Sequence, residues 1–312
     1  MSTPHIFAAC AFLIGLLFGS FLNVCIARLP RGQSIVKPRS HCPNCDHHIR
    51  WYDDIPILSW FILRARCRDC GHSISIQYPT VELFTAIWFA FVAFRTAFQL
   101  DHLRILPDPV PSEAFIGVTL VGITALILGF LLIGLLVMDW QTYTLPDAFT
   151  LTGIAIGFFL ICTQAVFLGP TEDQILLKHK APITAAMSVE KGNLFLTGPE
   201  ALIGGRLVAV LATAALLLLI RQAYKLLRNR DGMGLGDVKL LAMIAAFLGF
   251  WPAILALFAG VLAASIYGIA LLARGKAHAT TRLPFGSFLA AGGLLSALFG
   301  PVLIDRYTSL FR

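Results

Sequence analysis

Eight runs of apolar residues, at about 5–27, 80–98, 114–138, 145–168, 201–221, 237–250, 253–273 and 284–304, decide what this chain of 312 residues can fold into. Crossing roughly 30 Å of hydrocarbon at about 1.5 Å per residue takes about 20 residues, and a segment in lipid must satisfy its own backbone polar groups. The runs therefore predict an all-α polytopic membrane protein with about eight transmembrane helices. Composition agrees, because 57% hydrophobic and 13% charged residues lie outside the range of soluble domains. The sixth run is short and leads into Trp251-Pro252, which predicts a tight hairpin with the seventh run or a break in one of them.

Orientation follows from the basic residues, since loops rich in Lys and Arg stay in the cytoplasm. With the N-terminus outside, segments 28–79, 139–144, 221–239 and 274–282 are inside and carry sixteen of the 24 Lys and Arg. The net charge of +7 is thereby explained as topology, with the lipid bilayer as partner and no nucleic acid expected. The first run has no basic start and no small-residue cleavage site, and Arg28 and Arg31 follow it, so it reads as an uncleaved anchor. The chain divides into a first helix over 1–27, a cytoplasmic loop domain over 28–79 and a transmembrane domain over 80–312. Gly15 with Gly19, and Gly153 with Gly157, each put two small residues on one helix face and predict close helix packing.

The loop 28–79 contains Cys42-Pro-Asn-Cys45 and, after 21 residues, Cys67-Arg-Asp-Cys70. Two residues between cysteines let both thiolates reach one ion, and four thiolates complete a closed tetrahedral site suited to structural zinc. Disulfides are the competing reading, but thiols in a cytoplasmic loop stay reduced. His41, His47, His48 and His72 lie close enough in sequence to replace a ligand, though four cysteines suffice. Cys10, Cys25 and Cys162 fall in or beside apolar runs and read as packing residues.

Two acids stand at the edges of apolar runs, where a charge is costly and usually functional. Asp139 ends the run Ala114 to Met138, and Asp237 follows the glycine-rich segment Gly232-Met233-Gly234-Leu235-Gly236. Both fall on the side assigned to the cytoplasm. Carboxylates brought within about 3 Å cannot both ionise, and one shared proton supplies the base and the acid that peptide hydrolysis needs. The pair therefore predicts a two-aspartate membrane protease. Asp139 at a helix C-terminus is expected to hold the proton, and Asp237 at a helix N-terminus to be ionised. Asp147, in Thr144-Leu-Pro146-Asp147, reads instead as a helix start with Thr144 as a cap.

These residues together resemble the type IV prepilin peptidases, bifunctional leader peptidases and N-methyltransferases of pilus and type II secretion systems. The resemblance rests on Gly19-Ser-Phe-Leu-Asn-Val-Cys-Ile-Ala-Arg28-Leu-Pro30, the two cysteine pairs with Tyr78-Pro79-Thr80-Val81-Glu82-Leu83, Asp139 with Leu145-Pro146-Asp147, Gly234-Leu-Gly236-Asp237-Val-Lys239, and Leu283-Pro284-Phe285-Gly286. It implies eight helices and a catalytic pair of Asp139 and Asp237. It implies a bacterial inner-membrane enzyme that cuts the short basic leader from prepilins or pseudopilins at the cytoplasmic face. It further implies that the new N-terminal residue is methylated from S-adenosylmethionine in the N-terminal cytoplasmic region, with Glu82 and Arg28 as candidate residues. A helix-entry acid and a helix-end anchor explain those two equally well. Two departures stand out: the segment 169–200 is longer than the family usually carries, and Ser287 stands where a proline is more usual after Gly286. Segment 169–200, with Gly-Pro near both ends, reads as an outside loop. A presenilin-type protease would share the acid pair but lack the cysteine loop. A proton-coupled transporter would more often carry an internal repeat, and none is evident.

Overall fold

The apolar runs form long helices in the computed structural model, which describes residues 3–105, 112–168, 199–228, 233–275 and 283–310. In chain order they are α1 (Thr3–Arg28), the short α2 (Leu58–Ile62), α3 (Gln77–Ile105), α4 (Ser112–Thr142), α5 (Asp147–Leu168), α6 (Pro199–Arg228), α7 (Leu235–Leu248), α8 (Phe250–Ala273) and α9 (Phe285–Ser309). Seven of these are long and apolar enough to cross a membrane. Large apolar side chains such as Leu17, Phe159, Leu219, Phe258 and Ile266 are exposed on their outer faces, as a lipid-facing surface requires. Among the described residues no strand forms; the cysteine loop has only two isolated bridges.

The exception is α7, which corresponds to the short sixth run. Its 14 residues span only about 21 Å. It packs against α4, α5, α6, α8 and α9, and from Asp237 to Phe247 every residue except Lys239 is buried. Among the described residues, the expected eight membrane helices are thus seven long enough to span and one shorter, buried helix. The expected hairpin is also there, because Gly249 (φ +91°) ends α7 and Phe250 begins α8. That left-handed φ is open to glycine at little cost.

Helices in lipid gain little from burying apolar surface against one another, so small residues that allow close approach do the packing. A Cβ on Gly15 or Gly19 would lie 2.6 Å from the Cα of Ala86 or Glu82, so α1 and α3 touch backbone to backbone. Gly153 and Gly157 likewise admit Met243, Ala246 and Phe247 of α7 against α5. Gly260 and Gly292 do the same between α8 and α9.

Trp88 of α3 donates its indole N–H to the Ala125 carbonyl at 2.9 Å, and Thr96 lies against Gly122. The contacts advance along α3 as they retreat along α4, so the two helices run antiparallel. The start of α3, where the cysteine loop ends, therefore lies at the same end of the bundle as Asp139. The starts of α5, α7 and α9 join it there, tied by Lys239 to Asp147 and by Ser287 to Asp139. The acids and the cysteines share one side of the molecule, as the charge pattern had implied. Segment 169–200, expected as an outside loop, lies almost wholly outside the described residues, as does Gly232.

Candidate active site

Asp139 lies three residues before the end of α4, and its side chain turns inward to be 5% exposed. Its Oδ2 accepts the backbone N–H of Ser287 at 2.6 Å and lies 3.0 Å from the Ser287 hydroxyl. That hydroxyl is also 2.9 Å from the Leu136 carbonyl. Ser287 is the third residue of α9, where backbone N–H groups have no partner within the helix. Asp237 is the third residue of α7, 8% exposed, and its Oδ2 accepts the N–H of Gly234 at 3.2 Å, closing the start of that helix. The two carboxylates interact electrostatically across the space between α4 and α7. Each faces the N-terminal N–H groups of a helix, so the opposed dipole settings expected from sequence are not found. Asp139 does end α4, but it borrows the start of α9.

Leu145 joins the two sides. Its side chain sits about 3 Å from where a Cβ would stand on Gly236 and on Gly286, and a Cβ on Gly286 would also come within 3.0 Å of the Asp139 carboxyl. The glycines before Asp237 stood out in the sequence only as a glycine-rich segment. Gly234 is extended (φ −74°, ψ 155°), and Gly236 is helical and makes room for Leu145. Asp147 opens α5 as expected, with Pro146 before it, and forms an ion pair with Lys239 at 2.6 Å; its side chain is 59% exposed. Thr144 bonds Thr142 at 2.6 Å and does not act as its cap.

Sequence reading passed over Ser287 as a mild departure. The structure gives it two donors to Asp139, and a proline there would supply neither. Ser287→Ala keeps the backbone N–H but removes the hydroxyl, leaving the carboxylate less firmly held. A hydrogen bond to a charged group contributes about 1.5–3 kcal/mol, so kcat is expected to fall by roughly tenfold to a hundredfold. KM should change little, which steady-state kinetics on a leader-bearing substrate would check. A larger effect on KM than on kcat would mean that Ser287 serves substrate binding.

The cysteine loop is built from two matching turns. Cys42 donates its N–H to the His47 carbonyl and Cys67 to that of His72, while Asp46 and Gly71 return N–H bonds to Cys42 and Cys67. Asp46 (φ +55°) and Gly71 (φ +70°), each four residues after the first cysteine of its pair, both adopt the left-handed conformation. The four sulfur atoms lie within 4.8 Å of one another, with Cys42 and Cys70 at 3.8 Å. Zinc–sulfur bonds of about 2.3 Å in a tetrahedron separate the sulfurs by about 3.8 Å, so the cluster could hold zinc with little rearrangement. None of the four is in a disulfide. The His72 backbone N–H, followed by the Asn44 amide, brings the Cys70 thiol down to about 6, while neighbouring Cys45 is pushed up to about 12, against the His47 backbone N–H, by burial and by hydrogen bonds with Cys70 and Cys42. Arg68 bonds both oxygens of Asp53 at 2.6 and 2.9 Å and holds that carboxyl below the usual carboxylate range.

The loop is moored to the membrane helices by the two residues that were only candidates. Arg28, at the end of α1, donates to the carbonyls of Ser34 and Pro38 at 3.0 and 2.7 Å. Glu82, buried in α3, accepts the N–H of Ile57 at 2.7 Å.

The description of the Bacterial Peptidase A24 N-terminal domain fits residues 13–96, and that of the Type IV leader peptidase family fits residues 125–269. Among similar proteins, the prepilin leader peptidase/N-methyltransferase of Myxococcus xanthus (strain DK1622) is 34% identical, covering 88% of this chain and 67% of that protein. The protein of the same name from Dichelobacter nodosus is 31% identical over 92% of this chain and 90% of its own. That from Stutzerimonas stutzeri is 29% identical over 100% and 97%. No solved structure matches.

Proposed function

The chain belongs to the type IV leader peptidase family, and on that premise we propose that it removes the leader of type IV prepilins and pseudopilins and methylates the new N-terminus. The observation that carries the peptidase reading is the pair of buried acids, Asp139 and Asp237, brought from two helices to one end of the bundle within electrostatic reach. Between them they share one proton. The ionised member takes a proton from water as the oxygen attacks the scissile carbonyl, and the protonated member gives its proton to the departing amine. Ser287 holds Asp139 in place, and the Gly234 N–H holds Asp237.

The substrate is a protein with a hydrophobic helix behind a short basic leader. The acids stand at the end of the bundle that carries the Lys- and Arg-rich loops, which supports cleavage at the cytoplasmic face of the bacterial inner membrane. Residues 28–79 act as a small domain folded on structural zinc held by Cys42, Cys45, Cys67 and Cys70, and 80–312 as the peptidase domain. With four thiolates and no open position, the metal supplies folding energy to that loop and takes no part in cleavage. The methyl group comes from S-adenosylmethionine, a donor matched to an amine nucleophile. A presenilin-type protease is not favoured, because it would lack the cysteine loop. A transporter is not favoured, because both domain matches are to peptidases.

The test is incubation of the purified protein in detergent with candidate prepilins and S-adenosylmethionine, read by mass spectrometry. Loss of the leader together with a gain of about 14 Da, one methyl replacing one hydrogen, is expected. Intact substrates would refute the peptidase reading. Cleavage without the mass gain would refute only the methyl transfer.

A further inference from the structure

Asp139 is 5% exposed and Asp237 8%, yet both have to reach a water and a peptide bond. A general acid or base works within about 2.6–3.2 Å of the atom it serves, or through one water. An extended stretch of polypeptide does not fit beside acids so enclosed, and whatever covers them has to move. The group placed to cover both is Leu145. Its Cδ1 and the Asp139 Cγ both lie within 3.0 Å of the point where a Cβ on Gly286 would stand. Its Cβ and Cδ1 lie 3.0 and 3.1 Å from the corresponding point on Gly236, the residue before Asp237. One side chain thus rests against the helix start that carries Asp237 and against the one that holds Asp139.

Leu145 belongs to neither of those helices. α4 ends at Thr142 and α5 begins at Asp147, which leaves residues 143–146 as the link between them. The ends of the link are fixed: the Tyr143 N–H donates to the Asp139 carbonyl at 2.9 Å, and the Phe149 N–H to the Pro146 carbonyl at 3.0 Å. Its middle is held differently. Among the described residues no backbone hydrogen bond ties 144–146 to α7 or α9, and the half-buried Leu145 side chain is the contact that reaches both. Tyr143, just past the end of α4, has a φ of +54°, uncommon for a bulky residue, and positions at the ends of elements absorb the rotation when a loop swings.

We propose, resting on the peptidase reading above, that residues 143–146 form a lid over the acid pair, latched by Leu145 between the starts of α7 and α9, and that the prepilin segment around the scissile bond displaces it. That segment enters extended, because in a helix its carbonyls are tied to the following turn. The lid also gives selectivity. Extended segments of passing cytoplasmic proteins meet the latch only from solution, whereas a prepilin is held beside it by its own helix in the same bilayer, at high effective concentration.

Opening the latch by mutation gives the test its sign. A closed lid lowers apparent affinity by the fraction of protein that is open, so Leu145→Ala is expected to lower KM for a full prepilin by at least about threefold and raise kcat/KM. A soluble peptide that spans the cut but lacks the hydrophobic helix should gain as well. If Leu145 only packs the site, the same change loosens the acids, and kcat falls with KM unimproved. A second measurement needs no turnover: maleimide labelling of the purified full chain carrying Leu145→Cys, read by mass spectrometry on the peptide with that thiol. Adding prepilin should speed its labelling by at least about fivefold, while Tyr143→Cys, already 56% exposed at that position, changes little. Labelling of Leu145→Cys that prepilin leaves unchanged or slows, or a fall in kcat/KM for Leu145→Ala, would overturn the lid and leave the peptidase reading standing. Wild-type protein that leaves every prepilin intact would overturn both.

Discussion

Asp139→Asn and Asp237→Asn are each expected to lower leader cleavage by at least about a thousandfold while the protein still inserts and folds. Proton transfer by a positioned side chain contributes roughly 10²–10⁴ in rate, and an amide in either position leaves no group able to carry the shared proton. The changes conserve shape, and an amide oxygen at position 139 can still accept the Ser287 N–H. The comparison that gives this result its meaning is Asp147→Asn. Asp147 is exposed and its ion pair with Lys239 is of the surface kind, worth about 0–1 kcal/mol, so cleavage should stay near the wild-type level. The measurement is the initial rate of leader removal by the three variants at equal membrane expression. Near wild-type cleavage by Asp139→Asn with an inactive Asp147→Asn would transfer the role to Asp147.

Removing zinc is expected to have the second large effect. Structural zinc sites contribute apparent binding energies of about 10–16 kcal/mol, and the loop 28–79 has almost no core of its own. Only Cys42, Ser59 and Pro79 are buried within it. Cys42→Ser or Cys70→Ser should release the single ion, expose the loop to protease and abolish methyl transfer, which the resemblance assigns to this cytoplasmic region. Cleavage should fall much less, since Asp139, Asp237 and Ser287 are all held by α4, α7 and α9. Elemental analysis, limited proteolysis and the two activities measured side by side would check this. Purified protein without zinc and with four alkylatable thiols would remove the metal from the account.

The apolar runs settled the fold class and the helix order because lipid leaves a backbone few alternatives, and each run had to be helical. The cysteine spacing pointed to a four-sulfur cluster, since local turns fix each pair and both turns can be read from sequence. Gly15, Gly19, Gly153 and Gly157 were legible as packing glycines for the same local reason: their spacing puts them on one face.

What lay beyond the sequence was whatever depends on two distant segments meeting. The sixth run looked like another span; its burial by five neighbouring helices is a property of the bundle, and no hydropathy pattern within 14 residues reports it. The dipole of α4 suggested one setting for Asp139, but α9, 148 residues away, brings Ser287 to its carboxylate. Gly236 is one glycine of a glycine-rich segment in the sequence, and its reason is the volume of Leu145 from another loop. Glu82 was equally a helix-entry acid or a functional one, and the structure shows its carboxylate holding the Ile57 N–H of the cysteine loop. Sequence determined the helices, the cysteine turns and the two acids because each follows from chemistry along the chain. Tertiary structure alone decided which helix is enclosed, what holds each carboxylate and what covers it, because these are contacts made across the chain.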